Sequence, residues 1–134
     1  MKKAILMTAA CVLAASVGFI GCSKSAAADS SVIKIGVFEP MTGANAAGGA
    51  MEVEGIKLAN EMFPTVTVGG KEYKVELVIA DNKSDKVEAA NAAQRLLDKD
   101  RVSVILGSWG SSLSMAAGPL VMEAKVPATT LVAK

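Results

Sequence analysis

Residues 107–111 (GSWGS) have the make-up of a backbone cradle for an anion. They follow a strand-like run at 102–106 (VSVIL) and precede an apolar helical run that begins near Ser112. A strand entering a helix through such a turn aims several backbone N–H groups at one point. The positive end of the helix dipole adds to them, so the chemistry on offer is the holding of a carboxylate. Small residues allow close approach to the backbone, and the Ser111 and Ser112 hydroxyls can donate or accept. The same serines are ordinary helix N-caps, and this stretch alone leaves both readings open. Trp109, the single tryptophan, can wall an apolar ligand side chain or serve as a partly exposed packing residue. The chain has no histidine, which removes the commonest general base and metal ligand. Residues 42–49 (TGANAAGG) lack the Gly-Lys-Ser/Thr ending of a phosphate loop, and no G-x-G-x-x-G follows the first strand. The expectation is a binding protein, not an enzyme, with no metal and no cofactor.

The elements that must position this turn are legible in order. Residues 32–38 (VIKIGVF) form a near-continuous run of β-formers, as in a strand covered on both faces. Pro40 to Gly43 stop it, and 44–49 (ANAAGG) reads as a small-residue loop. Met51, Gly55, Leu58, Ala59 and Met62 then fall on one helical stripe, closed by Phe63-Pro64. Gly69-Gly70 sits between two short β-like arms and predicts a hairpin whose second arm runs into a strand at 75–80. Asp85 and Glu88 stand at capping-box spacing and open a helix over 86–97. After a polar break at 98–101 come the strand at 102–106 and the third helix, with Leu113, Ala116, Ala117, Leu120 and Ala124 on one face. Pro119 inside that helix predicts a kink. Residues 126–132 form the last strand.

The order β-α-hairpin-β-α-β-α-β implies right-handed crossovers. The fold class is α/β, a doubly wound, mainly parallel sheet with helices on both faces. Ligands of such sheets bind beyond the carboxyl ends of the strands. The glycine-rich turns after the first and third parallel strands lie on that edge, which favours a site at Ser111.

Composition sets the surroundings. The 134 residues carry a net charge of +1 with no basic block, which argues against nucleic acid as a partner. Residues 1–21 have a basic start and a long uncharged apolar run, the layout of a secretory signal. Gly21-Cys22 resembles the bacterial lipobox, in which the cysteine is lipidated before cleavage in front of it. Residues 22–31 then form a flexible tether. The expected location is outside the cytoplasm, on a membrane lipid anchor. Residues 32–134 are the folded part.

With these residues in view, the chain resembles the start of a periplasmic-type solute-binding protein of the branched-chain amino acid (leucine/isoleucine/valine-binding) ABC-transporter family. The stretch IKIGVFEPMTGANAAGGAMEVEGIKLANEM matches the family opening. LVIADNKSD with AANAAQRLL, and VSVILGSWGSSLSMAAGPLVMEAKVPA, match its second and third units, Pro119 included. The resemblance implies the periplasmic-binding-protein type I fold, with residues 32–134 an incomplete N-terminal lobe. It implies an amino acid ligand, branched-chain or otherwise apolar in side chain, and an ABC-transporter permease as partner. Ser111 matches the serine that holds the ligand's α-carboxylate, with Ser112 beside it. Thr129 and Thr130 stand nearest to the hydroxyl residues that hold carboxylate and amino groups after the next strand. An aromatic that some relatives carry in the first loop is replaced by Gly48. A sensory domain of the same fold, signalling to a partner protein, is the alternative function. Glu39, beside Pro40, has no role in this reading.

Overall fold

Strand β1 (Val32–Glu39) is the one against which the rest of the sheet is laid. The computed structural model describes residues 31–130. The expected signal segment, Cys22 and most of the tether lie outside the described residues, as do the last positions of the expected final strand. After β1 come α1 (Ala46–Met62), the hairpin strands β2 (Thr65–Val68) and β3 (Lys71–Asp81), α2 (Lys86–Asp98), β4 (Val104–Leu106), α3 (Ser111–Ala124) and β5 (Ala128–Thr129). The sheet order is β2-β3-β1-β4-β5. Strands β3, β1, β4 and β5 run parallel, and β2 joins β3 antiparallel. This is the doubly wound α/β arrangement expected from the sequence.

The chain moves from β1 to β3 through α1, then back across β1 to β4 through α2. Right-handed crossovers put α1 on one face and α2 with α3 on the other. The contacts agree, since α2 packs on α3 while α1 lies against β1 and β3. The two faces are filled unequally. Phe38, Ala80, Leu96, Val102, Ile105 and Leu113 belong to one continuous cluster under α2 and α3. Ala89, Ala92 and Ala93 let α2 sit close to the sheet, and Gly36 does the same from the strand. A Cβ there would stand 3.1 Å from Val102 and 3.2 Å from Leu96. Side chains alternate along a strand, so Val37 and Glu39 face α1 instead. On α1 itself the buried residues are Gly48, Gly49 and Val53.

Helix α1 departs from the sequence reading in two ways. It starts at Ala46, inside the stretch expected to be a loop. It also turns the stripe of Met51, Leu58 and Met62 away from the sheet, leaving all three exposed. The sheet-facing stripe is Gly49, Val53, Ile56 and Asn60, which has the same helical period in another register. Gly55 lies off that stripe, and a Cβ on it would meet nothing within 4 Å. Gly55→Ala therefore removes backbone freedom from the unfolded chain at no steric cost. It is expected to raise stability by about 0.5–1 kcal/mol, read as a higher urea midpoint at unchanged slope.

The other helices follow more local signals. Asp85 caps α2, accepting from the N–H groups of Val87 at 2.8 Å and Glu88 at 3.0 Å. Glu88 reaches the Lys83 ammonium at 3.1 Å, so the expected capping box is present as the Asp85 half. Helix α3 runs as one element across Pro119 and is not split there. It ends on Lys125 in the left-handed region, where the Val126 N–H turns back to the Val121 carbonyl. The strands around it are shorter than expected. Val102 sends its N–H back to the Leu96 carbonyl, so bonding to β1 begins only with the Ser103 N–H on the Lys34 carbonyl, and β4 spans Val104–Leu106. Strand β5 begins at Ala128, because Pro127 before it has no N–H to give.

Candidate functional site

The carboxyl ends of β1, β3, β4 and β5 come together at one edge, and their loops are tied to one another by side chains. Asp81 closes β3 and reaches across to the loop after β1. Its carboxylate accepts from the N–H groups of Met41 at 2.8 Å and Lys83 at 2.7 Å, and from the Thr42 hydroxyl at 2.7 Å. Burial pushes the Asp81 pKa up, but these bonds together with the Thr42 N–H outweigh it and hold the group below the usual range. Ser84 adds a second tie, donating to the Thr42 carbonyl at 2.8 Å and accepting from the Asn45 N–H at 3.0 Å. Gly43 lies beneath it with φ +84, and a Cβ there would meet Ser84 Oγ at 2.9 Å. The first loop is thus fixed to the second before any ligand arrives.

The turn after β4 is fixed in the same manner. The Asn82 amide donates to Ser108 Oγ at 2.8 Å in the interior. The Ser108 N–H donates to Ser114 Oγ at 3.0 Å, which binds the turn to the first turns of α3. The Gly107 N–H donates to the Thr129 carbonyl at 2.9 Å and brings the end of β5 alongside. Glu39 ends β1 fully buried, with 0% of its surface exposed. Its Oε2 accepts from the Trp109 N–H at 2.7 Å. Burial pushes its carboxyl up to about 8, the Trp109 N–H pulls against this, and Glu52 of α1 adds to the rise by hydrogen bonding and by charge.

Each residue singled out in the sequence can now be placed. Ser111 is the first residue of α3, and Gly110, with φ +106, occupies the capping position without a side-chain bond. The N-cap reading of Ser111 and Ser112 is therefore corrected: the helix starts one residue earlier, and both serines lie in its first turn. N–H groups of a first helical turn point out of the helix end, which suits an anion held there. Ser111 is partly exposed and Ser112 exposed. Trp109 is also partly exposed, and its ring lies over Gly48, whose Cβ would stand 2.7 Å from the indole nitrogen. The indole thus takes the space above the first turn of α1. Thr129 and Thr130 are exposed at the end of β5, beside the same turn. A cavity of about 240 Å³ opens under α3, lined in part by Gly107, Ser114, Val121 and Thr130. Of the candidate residues only Thr130 lines it, so it is a neighbouring apolar space and does not contain the α3 helix end. Sequence reasoning passed over Glu39, Asn82 and Ser84 as site-shaping residues. A carboxylate closing an apolar strand run was the one available signal.

A profile of periplasmic binding proteins matches residues 32–134. The chain belongs to this family. Periplasmic binding proteins act outside the cytoplasm, and the family and its solved neighbours are solute-binding proteins, not enzymes. The chain is 33% identical over 130 residues to an amino acid binding protein of Pseudomonas aeruginosa, covering 97% of this chain and 33% of that protein. Among solved structures it is similar to the leucine binding protein LivK of Thermotoga maritima. That match has 46% identity and a TM-score of 0.68, over 74% of this chain and 27% of LivK. A solute binding protein of an ABC transporter from Rhodopseudomonas palustris, in complex with 3,4-dihydroxybenzoic acid, matches at 34% identity and a TM-score of 0.67. It covers 75% of this chain and 27% of that one. The chain therefore spans about a third or less of the length of these relatives. The resemblance to branched-chain amino acid receptors read from the sequence agrees with these matches.

Proposed function

We propose that this chain forms the opening part of the first lobe of an extracytoplasmic receptor that captures an amino acid for an ABC importer, the ligand having a branched-chain or otherwise apolar side chain. The observation that carries this reading is the start of α3 at Ser111 on the carboxyl edge of a parallel sheet, inside a turn tied to the neighbouring loops. Ser111, Ser112 and the N–H groups beside them hold the ligand's carboxylate. Trp109 offers an apolar wall, and Thr129 and Thr130 reach the ligand's polar end from β5. A second lobe closes over the ligand by hinge motion, and a permease reads the closed form. Residues 1–21 are a signal peptide, Cys22 carries a lipid, and 22–31 tether the folded part to the membrane.

The relatives support a carboxylate as the common element. One is a leucine binding protein, and another holds an aromatic acid. The second favours an aromatic carboxylate as the alternative ligand class. The test is calorimetric titration of the receptor carrying both lobes with L-leucine, and separately with a dihydroxybenzoate. Ser111→Ala removes a bond to a charged group, which is worth about 1.5–3 kcal/mol. The expected loss is about 10- to 150-fold in affinity. Unchanged affinity would remove Ser111 from the site.

A further inference from the structure

We propose that Glu39 keeps a proton in the folded chain, directed at Glu52, and acts as a positioning residue for the β4–α3 turn, so that loss of the proton frees Trp109 and weakens ligand capture. Geometry carries the inference. Glu39 is fully buried at the end of the central strand, and its Oε2 grips the Trp109 N–H at 2.7 Å. Its other oxygen, Oε1, is buried and has no donor among the described residues. It lies against Gly107, where a Cβ would collide with it. Glu52, on the face of α1 turned to the sheet, comes within hydrogen-bonding reach of the Glu39 carboxyl and likewise holds a buried oxygen, Oε2, with no donor.

Two ionised carboxylates only accept, so neither orphan oxygen can be satisfied while both are charged. A proton on Glu39 supplies the missing donor and removes the fully buried one of two neighbouring like charges. The groups facing Glu39 leave no other means of balance. Its register partner on β3, Asp81, gives its oxygens to Met41, Thr42 and Lys83. The β4–α3 turn (107–110) carries no titratable side chain, and among the described residues no lysine or arginine acts on Glu39. Burial, reinforced by Glu52, pushes the Glu39 carboxyl up to about 8.

The consequence reaches the site because Trp109 touches both halves of the device. Its N–H is bound to Glu39, and its ring covers Gly48, one turn before Glu52 on α1. When the proton leaves, the buried Glu39 charge and the partly buried Glu52 repel each other, the start of α1 and the turn move apart, and the indole moves into water.

Only the ligand arm of the test rests on the receptor reading. Trp109 is the single tryptophan of this chain, so its emission reports the turn without any ligand. Titrated from about pH 6 to about pH 9.5, the emission is expected to shift to the red with a midpoint near 8. In Glu39→Gln the amide oxygen still accepts from Trp109 and the amide N–H₂ donates to Glu52, so the transition is expected to vanish. Glu52→Gln, which cannot add a second charge, is expected to lose it too. In the receptor carrying both lobes, the L-leucine dissociation constant is expected to rise about tenfold from about pH 6.5 to about pH 9 and to stay level in Glu39→Gln. A flat wild-type emission overturns the proposal whatever leucine does, and so does a transition that persists in Glu39→Gln. A transition abolished by Glu39→Gln, together with no leucine binding at any pH, upholds the Glu39 proton and instead overturns the receptor reading.

Discussion

Gly107→Ala is expected to leave little folded protein. Gly107 has φ +117, and its missing Cβ is the space into which the Phe38 carbonyl and Glu39 Oε1 project. Neither neighbour can give way, since one is backbone of the central strand and the other a fully buried carboxyl. Backbone strain costs about 1–3 kcal/mol, and forcing atoms into a filled space costs about as much again. Together they approach the total stability of a domain this size, about 5–15 kcal/mol. Gly110→Ala separates the two effects. Gly110 also has positive φ, but its nearest atom to a Cβ is Asn45 Nδ2 at 3.5 Å. It meets the strain alone, so a milder loss of about 1–3 kcal/mol is expected in urea unfolding. Equal losses in the two variants would refute the packing argument.

Stability is expected to fall as the solution becomes more basic through neutrality. Glu39 titrates near 8 in the folded chain against an ordinary value of 4.5. Between those values the folded state holds a proton that the unfolded state has lost, so unfolding becomes easier as pH rises. The slope approaches one proton, or about 1.4 kcal/mol per pH unit, and levels off above pH 8. From about pH 5 to about pH 8 the loss approaches 4 kcal/mol, about 1.4 for each unit. Asp81 works in the opposite sense. Its lowered pKa contributes stability that is present above the ordinary carboxylate range and is lost as the solution turns acidic. Urea unfolding at a series of pH values checks both. The Glu39→Gln curve is expected to lack the one-proton slope above about pH 5, and parallel curves for the two proteins would exclude it.

The parts of the fold that local chemistry decides were legible in the sequence. The β1 run, the Asp85 cap and the order of units led directly to a parallel sheet with helices on both faces. The turn at 107–111 stood out as a candidate anion cradle because its small residues and hydroxyls are adjacent in the chain. The start of α1 was not. Its glycines lower helix propensity, yet Gly48 and Gly49 are what let the helix approach Trp109 and Pro40. The outward stripe of Met51, Leu58 and Met62 has the same period as the inward one, so periodicity could not choose between them. Those small residues chose the face. Glu39 was illegible for another reason: the N–H that binds it lies 70 residues away. Distant pairings of this kind become visible only once the sheet has brought β1 and β4 together.

The ties made by Asp81, Asn82, Ser84 and Ser108 also bear on the thermodynamics of association. A loop that must freeze around its ligand loses conformational entropy at that moment, and the loss is subtracted from affinity. Here the loops after β1, β3 and β4 are already pinned to one another, to β3 and to α3 by bonds of 2.7–3.0 Å. The disorder of these loops is given up when the chain folds. A small molecule docking at this edge therefore has mainly its own few rotatable bonds left to order, and a fragment of it should be recognised by the same rigid contacts.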